Sequence, residues 1–204
     1  MNCLICNELC DMLICPSCLA SLRECGFGFL YKERCPVCNH AIWDLSYPCQ
    51  SCNEGILSYG AYQGLLYETV LRFKTGREKQ LGKVFAFLFA GMLQGESDFA
   101  LVPIPASKAG LQQRGFDQMN CICRYLPYPW YPLLEQTEMQ QKKSLSQEQR
   151  LAQKGFSYRK HHVSQKRLIL LDDIYTTGST MKNGMHLIAK ETGKEVRGMT
   201  ICKV

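Results

Sequence analysis

Four apolar residues, Leu168-Ile169-Leu170-Leu171, run directly into two acids, Asp172 and Asp173. A turn rich in hydroxyls follows, Thr176-Thr177-Gly178-Ser179-Thr180. An unbroken apolar run of this length predicts a strand covered on both faces, as in a parallel sheet. The small polar turn predicts the start of a helix, over about 180–192, leading through Gly193 to a last strand over 196–202. Upstream, residues 99–105 predict the first buried parallel strand. Pro103 and Pro105 cannot continue a ladder, so the chain must leave the sheet there. Helical spacing runs through residues 68–73, breaks at Thr75-Gly76-Arg77, and resumes over about 79–93. A further helix is predicted over about 118–125. A short strand is predicted over 130–135, among Pro127, Pro129 and Pro132, and a short β element over 59–67, beside or over the site. The sum is a mainly parallel, doubly wound α/β domain.

Composition separates a second unit from this one. Of thirteen cysteines, eight form four C-x-x-C pairs: Cys3/Cys6, Cys15/Cys18, Cys35/Cys38 and Cys49/Cys52. One such turn points two thiolates at one ion, and two turns complete a tetrahedral Zn²⁺ site. Sequential and interleaved pairings both fit the spacing. No ligand position is left open for catalysis, so the zinc is structural, and a segment this short and polar needs it to fold. Gly55 and the Ser58-Tyr59-Gly60 turn mark the boundary, giving a Cys-rich domain at 1–55 and an α/β domain at 56–204.

Charge is divided along the same line. Residues 1–55 carry three Lys/Arg against six Asp/Glu, leaving a net of +9 on the remainder of a +6 chain. The excess is densest over 142–167, with eight basic residues and one acid, Glu148. Such a run is either a solvated loop or an anion-binding one. The first residues lack the basic start and apolar run of a signal peptide, and residues 84–93 are too short for a span of roughly 20. A cytoplasmic protein without an integral membrane segment is expected.

Carboxylates at the C-terminal end of a parallel strand lie where open α/β sheets bind ligands. A turn of hydroxyls and amides opening a helix is suited to phosphate. Together they describe a site for a ribose 5-phosphate; an ordinary buried strand with an Asp–Thr cap is the plainer alternative. Residues 168–180 resemble, position by position, the PRPP-binding signature of type I phosphoribosyltransferases. The cysteine-rich start, the Val102-Pro103-Ile104-Pro105 strand end followed by Arg114-Gly115-Phe116-Asp117-Gln118, and a basic Leu145-Ser146 loop resemble the ComF branch of that superfamily, over nearly the whole chain.

The resemblance implies a type I phosphoribosyltransferase fold with N-terminal zinc ribbons, two Zn²⁺ in sequential pairing, and Mg²⁺ travelling with PRPP. It gives Asp172 and Asp173 to the ribose hydroxyls and Thr176, Thr177, Gly178, Ser179 and Thr180 to the 5-phosphate. Ala106, Ser107 and Lys108 would meet pyrophosphate, with Arg114 reaching a phosphate. Lys142, Lys143, Gln147 and Arg150 would belong to a flexible loop that closes over PRPP. Asp117 stands where that branch usually has Asn. Residues 56–74 correspond to the variable acceptor hood, where no residue names a base or amine.

The resemblance further implies a role in natural transformation. Single-stranded DNA would be a partner, and the zinc ribbons would dock a competence DNA-translocase ATPase of the ComFA type, bringing the protein to the inner face of the membrane. A basic domain with Tyr128, Trp130, Tyr131, Phe156 and Tyr158 has the cations and stacking groups that single strands use. The chain has no Gly-x-x-x-x-Gly-Lys-Ser/Thr loop, so it is not the motor. It has no glutaminase domain either, which excludes a complete glutamine-dependent amidophosphoribosyltransferase.

Overall fold

The computed structural model describes residues 1–30, 33–35, 41–42, 49, 53–76, 78–137 and 155–204. Its strands are β1 (Glu33–Arg34), β2 (Ala41–Ile42), β3 (Ile56–Ala61), β4 (Phe99–Pro103), β5 (Leu134–Gln136), β6 (Phe156–Tyr158), β7 (Arg167–Tyr175) and β8 (Glu195–Lys203). Four of them form the central sheet in the order β3-β8-β7-β4, every neighbouring pair parallel. Alternation along the strands sorts side chains onto two faces. Leu101, Ile169, Leu171, Met199 and Ile201 pack under helices Gly64–Thr75, Gly82–Met92 and Gln118–Cys123. Ala100, Val102, Leu168 and Leu170 face helix Ser179–Thr192 and the antiparallel β5–β6 pair. Both faces are covered, which is why β7 reads as unbroken aliphatic sequence.

Three expectations about elements need correction. The short β element expected over 59–67 is the parallel edge strand Ile56–Ala61, which precedes the fully buried parallel strand Phe99–Pro103 in the chain. Its Ser58-Tyr59-Gly60 reads as a turn, yet Ser58 is buried in a 2.7 Å hydroxyl pair with Thr200 of β8. Gly60 is required there because a Cβ would collide with the Cys25 carbonyl. Second, helix Gly64–Thr75 begins before the periodic stretch 68–73. Third, the strand expected over 130–135 is displaced to Leu134–Gln136. The prolines cannot donate, so only Pro129 O and Tyr131 N bond to β4, at Leu101.

The Cys-rich segment shares the core on the first face. Leu22, Cys18 and Ile14 are buried with Leu66, Val70 and Phe73. The Arg72 guanidinium donates to Ile5 O at 2.7 Å while paired with Glu78, and Tyr59 OH donates to Leu22 O at 3.2 Å. Among the described residues no helix is long and apolar enough to cross a membrane.

Candidate functional site

The two acids at the end of β7 have different surroundings, because successive strand residues point to opposite faces. Asp172 lines a cleft with Tyr175, Thr176, Gly178, Thr180 and Thr200. Its Oδ1 accepts the Asp173 amide at 2.9 Å. Asp173 turns the other way and pairs with Lys74 Nζ at 3.1 Å, with the carboxylate side chain only 14% exposed. Lys74, the last residue of the segment that corresponds to the acceptor hood, thus stands at the site. Behind it, Cys202 Sγ donates to Asp173 O at 3.5 Å. Burial pushes this thiol up to about 12, so it stays protonated and offers no nucleophile.

The turn beyond is built for an anion. Gly178 takes φ +75°, and Ser179 opens helix Ser179–Thr192. Thr177 Oγ1 accepts the Ser179 amide at 3.4 Å and lies 3.1 Å from Ser179 Oγ. Thr176 and Thr180 share the cleft with Asp172, and the Thr177 and Ser179 hydroxyls meet at the helix N-terminus, an arrangement suited to a sugar phosphate. Replacing Gly178 by alanine drives a Cβ into the Tyr175 hydroxyl and strains the backbone. The expected cost is about 1–3 kcal/mol of stability, measurable by urea denaturation, together with at least a tenfold loss of ribose 5-phosphate affinity.

The segment expected to meet pyrophosphate follows β4, the neighbour of β7 in the sheet. Pro103 pairs with Leu171, and the Ile104 amide donates to Leu171 O at 3.0 Å, so β4 leaves the sheet just before Asp172, while β7 continues to Tyr175. Asp117 explains itself here. One carboxylate oxygen accepts the Ala106 amide and the other the Asn120 amide, both at 2.8 Å. A side-chain amide has a single oxygen and could not accept the two bonds on separate oxygens as Asp117 does. Ala106 can thus give its amide to a diphosphate only if that bond opens. Ser107 caps the helix Lys108–Arg114 through Gly110 N at 3.1 Å. Arg114 folds back over Gly110, where a Cβ would meet its guanidinium, and its Nε is buried without a hydrogen-bond partner among the described residues.

The expected flexible-loop residues Lys142, Lys143, Gln147 and Arg150 lie outside the described residues. The ends of that segment are fixed, Thr137 N donating to Gly155 O at 3.1 Å, and neighbouring Gln136 donates to Pro105 O at 3.1 Å.

A second candidate centre is made by the first two cysteine pairs. Sulfurs of Cys3, Cys6, Cys15 and Cys18 all lie within 4.8 Å of one another, which is the sequential pairing. The first pair sits in a tight turn closed by Cys3 N to Glu8 O and Asn7 N to Cys3 O. The second sits at the N-terminus of helix Pro16–Cys25, with Cys15 as N-cap and Pro16 following. Amides of Ile5 and Cys15 point at Cys3 Sγ at 3.4 and 3.3 Å. The Ser17 hydroxyl beside Cys15 draws that thiol down to about 6, while burial pushes Cys18 up. Four thiols competing for negative charge in this way fit a tetrahedral divalent cation such as Zn²⁺. Of the other two pairs, Cys38 and Cys52 lie outside the described residues.

Sequence reasoning missed Thr200 and Tyr175 as cleft residues. The polar Thr200 between apolar Met199 and Ile201 was a visible signal, whereas the Lys74–Asp173 contact left none.

Comparison with known proteins agrees with this geometry. Residues 114–204 match the phosphoribosyl transferase domain family. The chain is 28% identical over 222 aligned residues, covering 100% of both proteins, to competence protein ComFC of Streptococcus pneumoniae (strain ATCC BAA-255 / R6). It is 27% identical over 192 residues to competence protein ComFC of Bacillus subtilis (strain 168), covering 84% of this chain and 75% of the relative.

Proposed function

We propose, from the premise that the chain belongs to the ComF family of phosphoribosyltransferase-type proteins, that it binds PRPP and assists internalisation of single-stranded DNA during natural transformation. The observation carrying the ligand is the meeting of Asp172 with the Thr176–Thr180 turn in one cleft. In this reading Asp172 and Asp173 take the ribose hydroxyls, with Lys74 giving up part of its hold on Asp173. The turn takes the 5-phosphate. Ser107 and Lys108, with Ala106 once released and Arg114 once unfolded from Gly110, meet the pyrophosphate with Mg²⁺. Lys142, Lys143, Gln147 and Arg150 supply a basic loop above it.

Residues 1–55 form the metal-stabilised unit and 56–204 the ribosyl unit. The first holds two Zn²⁺, one on Cys3, Cys6, Cys15 and Cys18 and one on Cys35, Cys38, Cys49 and Cys52. It docks a ComFA-type ATPase, which keeps a cytoplasmic protein near the membrane. The name shared by both relatives supports the competence role, and the +9 charge of residues 56–204 supports a nucleic-acid partner.

Fluorescence anisotropy of a labelled single strand, at two salt concentrations with and without Mg²⁺–PRPP, tests this. The expected affinity falls steeply with salt and shifts on adding PRPP. Absence of binding under every condition would contradict the DNA reading. It would favour an active transferase that moves ribose 5-phosphate to a base or amine, to be sought by pyrophosphate release.

A further inference from the structure

The turn assigned to the 5-phosphate is held in shape from outside its own motif. Tyr175 precedes it and is buried, and its hydroxyl occupies the space that a side chain at position 178 would need. That hydroxyl donates to Glu54 Oε2 at 2.8 Å. The other oxygen of the same carboxylate accepts from Lys182 Nζ at 2.7 Å. Lys182 follows the turn, and its amide donates to Gly178 O at 2.8 Å. One carboxylate therefore clamps the residue before the turn to the residue after it.

Glu54 belongs to the Cys-rich segment. It directly follows Asn53, whose amide donates to Cys49 O at 2.9 Å, and its side chain is 22% exposed. Pairing also raises the Lys182 ammonium above its ordinary range, chiefly through the Glu54 bond, so the lysine stays charged and held. A conformation requiring φ +75° at Gly178 gains its definition from this clamp.

We propose that Glu54 is a positioning residue for the phosphate turn, through which the Cys-rich segment sets the affinity of the sugar-phosphate end of the ligand. This rests on the PRPP reading above. It predicts an effect confined to one end of the ligand, because Glu54 bonds to Tyr175 and Lys182, which flank the phosphate turn.

The test is calorimetric titration of the full chain with ribose 5-phosphate and, separately, with Mg²⁺–pyrophosphate, for wild type, Glu54→Ala, Tyr175→Phe and the double variant. Wild type is expected to bind both. Glu54→Ala and Tyr175→Phe should each weaken ribose 5-phosphate about tenfold, leave Mg²⁺–pyrophosphate unchanged, and lose little more when combined. Tyr175→Phe removes only a hydroxyl and keeps the test valid if Glu54→Ala folds poorly. Unchanged ribose 5-phosphate affinity in Tyr175→Phe, equal losses for both ligands, or additive losses would overturn the clamp. Failure of wild type to bind ribose 5-phosphate would instead overturn the PRPP reading, and the clamp with it.

Discussion

Alanine at both Asp172 and Asp173 is expected to abolish measurable PRPP binding while the chain stays folded. Each carboxylate bond to a ribose hydroxyl contributes about 1.5–3 kcal/mol, so losing two weakens binding by roughly two to four orders of magnitude. The fold should tolerate the change. Asp173 loses its ion pair with Lys74, whose side chain is 30% exposed and can turn its ammonium to water once unpaired, and two adjacent like charges disappear. Titration calorimetry reads the affinity and circular dichroism the fold. Retained affinity in a folded double variant would remove both acids from the site.

Stripping the metal should release the start of the chain. Leu22 is fully buried against the core that holds Leu66 and Phe73, and exposing one such side chain costs about 1.5–3 kcal/mol. For a chain of this size that corresponds to a fall in Tm of about 3–12 °C. Amide exchange should accelerate over residues 1–25, while β7 and β8 stay protected. Acid acts in the same direction as a chelator, because thiols must lose protons to bind and regain them as pH falls. Metal analysis should find zinc in natively purified protein. A chelator that leaves both Tm and exchange unchanged would show that the four thiols fold without an ion.

The legible part of this chain was contiguous. β7, its acids and the turn form one run with a strand period and a turn composition, and the C-x-x-C spacing speaks for itself. What escaped was set by long-range register. Thr200 reaches the cleft because it pairs with Asp172 across β7 and β8. Ile56–Ala61 is a strand because Ser58 finds Thr200 and Gly60 admits the backbone at Cys25, while its own sequence resembles a turn. Lys74 and Glu54 meet Asp173 and Tyr175 across about a hundred residues or more, and no periodicity records such pairs. The resemblance gave residues 106–108 to pyrophosphate, and only the fold revealed Asp117 occupying the Ala106 amide.

A crystal structure of the chain with Mg²⁺ and PRPP would test the central claim most directly. The account predicts the 5-phosphate among Thr176, Thr177, Gly178, Ser179 and Thr180, with ribose hydroxyls on Asp172 and Asp173. Density for PRPP elsewhere, or an empty turn at saturating ligand, would contradict it.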